Sequence, residues 1–216
     1  MKLFYTPGTC SLAAHLVMRE LNLEFTLVRV DNQTKRTEHD QSYLQINPKG
    51  YVAALMLNDG QVITESPAIL QYLGDLAPAQ GLVPPAGTMA RTRMHEWLNF
   101  ITAELHAGCV PLFKAEIGRD VKRLFEDRLL SRLTFVDEHL ENRPYLLGER
   151  FSVADAYLFT VLTWLPRFGI DIHEWRALSQ FMQEMLARAC VTQAVAAEGI
   201  ALPAQPGGRD VHSAYS

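Results

Sequence analysis

The spacing of apolar residues changes character once along this chain, near position 88. Before that point short apolar runs alternate with helical stretches. Residues 1–5 form an apolar run ending in Phe4 and Tyr5, bounded by Pro7 and Gly8, and read as a strand. From Ser11 the apolar residues Leu12, Ala13, Leu16, Val17 and Leu21 recur at helical spacing. Residues 25–30 alternate and are rich in branched side chains, which reads as a second strand. Strand, helix and strand in that order predict parallel pairing through a right-handed crossover. Residues 31–45 are polar and read as a loop with one short helix. Asn47-Pro48-Lys49-Gly50 signals a turn, residues 52–57 a strand, Asn58-Asp59-Gly60 a hairpin turn, and residues 61–64 the antiparallel return. Glu65-Ser66-Pro67 then opens a helix, with Ser66 as N-cap, Pro67 in the first helical position, and Ile69, Leu70, Leu73 and Leu76 on the buried face.

Residues 78–88 are dominated by Pro, Gly and Ala and read as a linker between a domain of residues 1–77 and a second of residues 89–200. The second domain shows no strand pattern. Residues 89–112 predict one amphipathic helix carrying Trp97, Ile101 and Leu105 on one side, and residues 121–140 a second with a charged outer face. A third begins at Ser152, a cap that Asp155 can answer by reaching back to the Ser152 backbone N–H. Its run 156–164 is apolar nearly all round, which places it in the middle of a bundle. Helices over 175–187 and 191–198 complete the domain, and residues 201–216 have the composition of a disordered tail. The predicted fold class is an α/β N-terminal domain followed by an all-α C-terminal domain.

Composition narrows the functional classes. A net charge of −4 with no basic cluster argues against a nucleic-acid surface. No apolar run reaches bilayer length, and no export signal precedes the first strand. Cys10, Cys109 and Cys190 are far apart and odd in number, which fits free thiols in a reducing cytoplasm better than a disulfide framework. No His/Cys cluster has the spacing of a metal site. Cys10 stands out because it falls where the first strand turns into the first helix. There the unpaired N–H groups and the positive end of the helix dipole favour a thiolate, although a buried cysteine acting as a small hydrophobe fits the same position. Ala13 stands where a second cysteine would complete a dithiol motif, so a single-thiol site needs an outside partner.

Four motifs in this order, Tyr5-x-Pro-Gly-x-Cys10-Ser11, Asn47-Pro48-Lys49-Gly50, Glu65-Ser66 and Phe151-Ser-Val-Ala-Asp155-Ala-Tyr, resemble the cytosolic glutathione transferases, most similarly the bacterial beta class. The resemblance spans residues 1 to about 200. It implies a thioredoxin-like N-terminal domain plus an all-helical C-terminal domain, a homodimer, glutathione as co-substrate, and small hydrophobic electrophiles as acceptors. It also implies roles. Cys10, Ser11, Tyr5 and His106 are the candidates around the sulfur. Ser66 at a helix N-terminus would hold the γ-glutamyl carboxylate and Glu65 the ammonium. Val52 would pair with the tripeptide backbone in the manner of an added strand, and Lys35 would meet the glycyl carboxylate. Asn99 and Glu104 would approach glutathione from the neighbouring subunit. Each has a bland alternative: a helix cap for Ser66, a surface acid for Glu65, a solvated charge for Lys35, a helix-surface histidine for His106.

The sequence also departs from that pattern. Ala53 stands where relatives carry a proline in a cis peptide after Val52. A cis bond before a non-proline residue costs about 3–4 kcal/mol against about 0.5–1 before proline. The expectation is therefore a trans bond, or a mixture, with weakened glutathione binding. Ala107 replaces a common lysine, and Ala189 a common proline whose loss is expected to blur the end of one helix. The resulting reading is a glutathione transferase, with thiol-transferase or peroxide-reducing chemistry through Cys10 as an addition. The rivals are a glutathione-dependent disulfide reductase, isomerase or dehalogenase, and a non-catalytic carrier or partner-binding module.

Overall fold

The computed structural model describes residues 1–201, and the predicted disordered tail falls almost wholly outside them. Strands β1 (Lys2–Tyr5), β2 (Thr26–Asp31), β3 (Arg36–Thr37), β4 (Ala54–Met56) and β5 (Val62–Thr64) form one mixed sheet in the order β3-β2-β1-β4-β5. β1 and β2 pair in parallel, as a helix between them requires, with Phe4 opposite Val28. β4 runs antiparallel to β1, and β5 returns antiparallel to β4. Where a loop with a short helix was expected over 31–45, the chain makes the two-residue strand β3 against the end of β2, then a single 3-10 turn, Tyr43–Gln45. Two residues are too short to show a period in sequence, and their pairing with Val30 and Asp31 is tertiary.

Helices α1 (Ser11–Glu20) and α2 (Ser66–Asp75) cover one face of the sheet. The other face is closed by a smaller cluster in which Phe4, Val28, Val30, Val52 and Ala54 surround the buried Tyr43. α1 is buried along most of its length because it is sandwiched, packing against α2 on one side and against helices of the second domain on the other.

Those later helices are α3 (Met89–Phe100), a short α4 (Ala107–Cys109), α5 (Arg119–Leu140), α6 (Val153–Leu162), α7 (Arg176–Leu186) and α8 (Ala189–Glu198). The single helix expected over 89–112 is interrupted: Ile101–His106 is π-helical, and Val110–Phe113 tightens to 3-10. A one-residue widening leaves the apolar spacing of Trp97, Ile101 and Leu105 nearly unchanged, so periodicity could not show it. α6 is buried at every position, as its all-round apolar run implies. The break between α7 and α8 is sharp despite Ala189. Arg188 stops the first helix with extended backbone, and its guanidinium lies 4.0 Å from the Phe151 ring centroid and pairs with Glu20.

The segment between α2 and α3 packs tightly. Leu82 and Val83 are buried, Val153 N–H donates to the Leu82 carbonyl at 3.1 Å, and Arg91 binds both the Pro84 carbonyl and Asp75. Gly74 makes this approach possible, since a Cβ there would lie 2.1 Å from Val83 Cγ2.

The start of α6 carries the bundle's most consequential polar contact. Asp155, fully buried, accepts from Ser152 N–H (2.8 Å), Ser152 Oγ (2.6 Å) and Leu146 N–H (2.8 Å). Replacing Asp155 by alanine strands two backbone donors in the interior and removes the cap. A loss of about 2–4 kcal/mol follows from one cap and two buried unsatisfied groups. Urea unfolding of Asp155→Ala against the native chain measures it, and a loss under about 1 kcal/mol would show that water reaches the freed donors.

Candidate functional site

A cavity of about 290 Å³ opens where three backbone features of the N-terminal domain meet the helical domain. The N-terminus of α1 brings Cys10, the entry to β4 brings Val52 and Ala53, and the N-terminus of α2 brings Glu65, Ser66 and Pro67. Thr102 and His106 from the π-helical segment, Val110 beyond it, and Tyr157 from α6 close the far wall.

The near wall is built by local turn chemistry. Asn47 is buried and organises the turn after it: Lys49 N–H donates to its Oδ1 (3.2 Å), Gly50 N–H to its carbonyl (2.9 Å), and its own Nδ2 to the Tyr51 carbonyl (2.7 Å). Gly50 supplies the left-handed φ of +73° this turn needs. The turn delivers Lys49 and Tyr51 to the cavity, and Lys49 Nζ reaches Thr64 Oγ1 (2.8 Å) and Glu65 Oε1 (2.5 Å).

Ser66 was expected as the cap of α2. The cap is Glu65, held at φ +71°, and Ser66 is the first helical residue, 7 % exposed. Position rather than chemistry explains the shift. A residue with positive φ cannot join the helix, so the chain turns at Glu65 and leaves its carboxylate free for Lys49. The first N–H groups of α2, Ser66's among them, have no intrahelical acceptor and point at the cavity end.

The expectation of a trans bond after Val52 is not met: the Val52–Ala53 peptide is cis. The chain is fixed on both sides of it, by Tyr43 Oη and Asn47 Nδ2 on the Tyr51 carbonyl and by the pairing of Ala54 with Phe4 and Thr64.

The electrostatics of Cys10 reverse the expectation. Its Sγ donates to the Val52 carbonyl at 3.1 Å, and part of the residue stays open to the cavity. Burial of the sulfur pushes the thiol up to about 11, outweighing the Ser66 hydroxyl and the neighbouring backbone N–H groups, which favour the thiolate. The helix-end field is present but smaller than the desolvation. Cys109 and Cys190 are buried thiols raised to about 12 for the same reason.

Other sequence candidates stand away from the cavity. Ser11 is fully buried behind Cys10, exchanging hydrogen bonds with Thr6 and Thr9. Tyr5 is buried in the sheet, its hydroxyl in the fields of Glu198, Glu38 and Arg29. Lys35 does not line the cavity, but its Nζ lies 5.7 Å from the ring centroid of Tyr51, which does. Asn99 is exposed and donates to the His95 carbonyl, while Glu104 pairs with Arg128 and Arg132 of α5, which hold its carboxyl below the usual range. Neither lines the cavity of its own chain. Sequence reasoning missed Lys49, Thr102 and Tyr157 as wall residues. The first was hidden in a turn motif, the last in an apolar run.

A larger cavity, about 820 Å³, lies between the 78–85 segment, Trp97 and the loop before α6. Ala90 at the start of α3 and Ser152 at the start of α6 line it too, but it holds neither a cysteine nor the entry to a strand. Among the described residues no group of His, Cys, Asp and Glu is arranged to hold a metal ion, and no helix is long and apolar enough to cross a membrane.

The comparisons agree with this architecture. Residues 8–76 match the model of the glutathione S-transferase N-terminal domain, and residues 100–189 that of the C-terminal domain. The chain is 44% identical over 200 residues to glutathione S-transferase GstA of Escherichia coli O157:H7, covering 93% of this chain and all of that protein. Among solved structures it resembles BphK, a bacterial glutathione transferase in a ternary complex, with TM-score 0.91 at 44% identity over 93% of this chain and all of that one. It resembles the beta-class enzyme of Sphingomonas chungbukensis with TM-score 0.90 at 38% identity, covering 92% of this chain and 99% of that one. The chain belongs to the glutathione S-transferase family, and within it is most similar to the bacterial beta class.

The raised thiol gives a direct test. A group whose folded pKa is raised stays protonated at neutral pH, so iodoacetamide labelling of Cys10 is slow at pH 7 and accelerates up to about pH 11. Peptide mapping separates it from Cys109 and Cys190. A labelling rate already flat below pH 8 would contradict the buried-thiol account.

Proposed function

We propose that the Cys10–Ser66–His106 cavity binds glutathione and presents its thiolate to small hydrophobic electrophiles. One observation carries this reading: two helix N-termini and a strand entry whose ladder pairing begins only at Ala54 converge on one small cavity that also holds an exposed cation–anion pair, Lys49–Glu65. The occupant that answers all four features is a short peptide with two carboxylates, one ammonium and a backbone able to pair. The α2 N-terminus and the Ser66 hydroxyl take the γ-glutamyl carboxylate, and Glu65 takes the ammonium. Val52 pairs with the cysteinyl backbone. Lys49, with Lys35 beside Tyr51, takes the glycyl carboxylate.

The reaction then follows. The bound thiol loses its proton to solvent, and its sulfur attacks the electrophilic carbon. A carbon–sulfur bond forms as the leaving group departs with its electron pair. Donors around the sulfur, His106 among them, stabilise the thiolate more than the thiol, which is where the rate enhancement arises. Val110, Pro67 and Ala53 supply the apolar side against which the acceptor rests.

Asn99 and Glu104 stand outside their own cavity, which suits contacts to glutathione in a second copy, and we assign the protein as a homodimer on that basis. Free thiols suit a reducing cytoplasm. Thiol-transferase chemistry through Cys10 is not favoured, because the thiol is held protonated.

Isothermal calorimetry with glutathione at neutral pH tests the reading. Ser66→Ala and Lys49→Ala are each expected to weaken binding by roughly tenfold, the loss of one hydrogen bond to a charged group. Unchanged affinity in Ser66→Ala would remove the γ-glutamyl carboxylate from the α2 terminus, and no binding by the native chain would favour the carrier alternative. Cys10→Ala is expected to keep conjugation within about threefold, because a protonated thiol adds only one weak hydrogen bond.

A further inference from the structure

His106 has two ring nitrogens, and the structure treats them differently. Nδ1 lies 2.6 Å from the Tyr157 hydroxyl. Nε2 has no hydrogen-bond partner among the described residues, yet it is not one of the buried polar atoms sealed from solvent. It therefore keeps access to the cavity that His106 lines. The ring is held between two aromatic edges, Trp164 at 5.0 Å and Tyr157 at 5.9 Å between centroids. Trp164 is in turn anchored by Nε1 donating to the Gly8 carbonyl at 2.9 Å.

The direction of the short hydrogen bond decides what the open nitrogen can do. If Nδ1 carried the proton, it would donate to the tyrosine oxygen, and the Tyr157 O–H would need a second acceptor. The Thr102 and Ser66 hydroxyls also stand near that hydroxyl, but its 2.6 Å contact is with the histidine, and Tyr157 is 1 % exposed. A phenol O–H is a much stronger acid than a neutral imidazole N–H, and an imidazole nitrogen a much stronger base than a phenol oxygen. The phenol therefore donates and Nδ1 accepts. Burial raises the tyrosine and lowers the histidine, with Glu65 as the opposing charge on His106. Both groups are neutral at pH 7, which leaves the single imidazole proton on Nε2.

We infer that Tyr157 is a positioning residue that fixes the tautomer of His106, so that the ring presents Nε2–H to the cavity as a hydrogen-bond donor and not as a base. This rests on the assignment of the reacting sulfur to this cavity. A histidine beside a reacting sulfur can hydrogen-bond a thiolate or take a thiol proton, and this tautomer selects the first role. The proton of the bound thiol then leaves to solvent, and His106 stabilises the anion left behind.

The tautomer is readable without any ligand. Long-range proton–nitrogen correlation NMR on the ¹⁵N-histidine-labelled chain at neutral pH is expected to show His106 protonated at Nε2 and bare at Nδ1. Tyr157→Phe, which removes only the hydroxyl, is expected to give a mixture of tautomers. A native spectrum with the proton on Nδ1 overturns the inference. With glutathione bound, Tyr157→Phe is expected to raise the apparent pKa of the bound thiol, followed by thiolate absorbance, by about one pH unit. It should lower kcat by roughly tenfold with little change in glutathione affinity, a split that loss of packing alone would not produce. An unchanged thiol pKa with unchanged kcat would also overturn it. Failure of the native chain to bind glutathione would instead sink the functional reading, and the ligand-free spectrum would still decide the tautomer.

Discussion

The structure depends on how one glycine is held. Gly8, at φ +66°, lies in the loop that carries Cys10 to the head of α1. Its N–H donates to Glu198 Oε2 at 3.0 Å, and its carbonyl accepts from Trp164 Nε1 at 2.9 Å. Glu198 Oε1 lies 2.8 Å from His15 Nδ1, while Arg19 Nε–H donates to His15 Nε2 at 3.2 Å, which puts the imidazole proton on Nδ1, facing the carboxylate. His15 and Glu198 have no exposed side-chain surface. A buried carboxylate is tolerated only when its oxygens are satisfied, and here both are, by Gly8 and His15 of the first domain. The last helix of the second domain therefore sets the first loop of the first domain. The two domains share one apolar core, running from Leu3 and Leu16 through Leu158 to Val191, for the same reason. α1 cannot be buried on both sides without the bundle behind it.

That arrangement divides the chemistry of the site. The α/β half supplies backbone: two helix ends and a strand entry, fixed in space by sheet pairing. Such groups recognise charge and peptide, and they do so whatever side chains surround them. The helical half supplies side chains from a π-helical turn and from α6, where a small change of register moves Thr102 and His106 relative to the sulfur. On the proposed reading, recognition of the co-substrate rests on backbone groups fixed by the sheet, and contact with the acceptor on side chains of the helical half.

How much of this was legible in the sequence follows the range of the interactions involved. The Asn47-Pro48-Lys49-Gly50 turn was readable because Asn47 bonds its own neighbours, and the start of α6 because Asp155 reaches only three residues back. The apolar run of α6 announced a central helix by itself. Strand β3 was invisible because its pairing is with β2 and nothing in two residues demands it. Tyr157 read as one more core aromatic, and only the fold shows its hydroxyl against His106. The reversal at Cys10 has the same origin. A helix dipole can be inferred from sequence order, but the burial that overrides it is made only by the folded chain, which brings the distant Val52 carbonyl against the sulfur.

The reversal also bears on what kind of catalyst the fold is. A cysteine at the head of a helix does redox chemistry when its thiol has a low pKa and room for a partner sulfur. Here the cysteine is crowded against the Val52 carbonyl and protonated, and the groups that favour an anion, Ser66 and the helix ends, face an open volume. Placing the same field over empty space, and burying the protein's own sulfur, turns a site for resident thiol chemistry into one for a borrowed thiolate. The helical domain completes that change, since Tyr157 and His106 close the volume from the side a bare thioredoxin-like domain leaves to water.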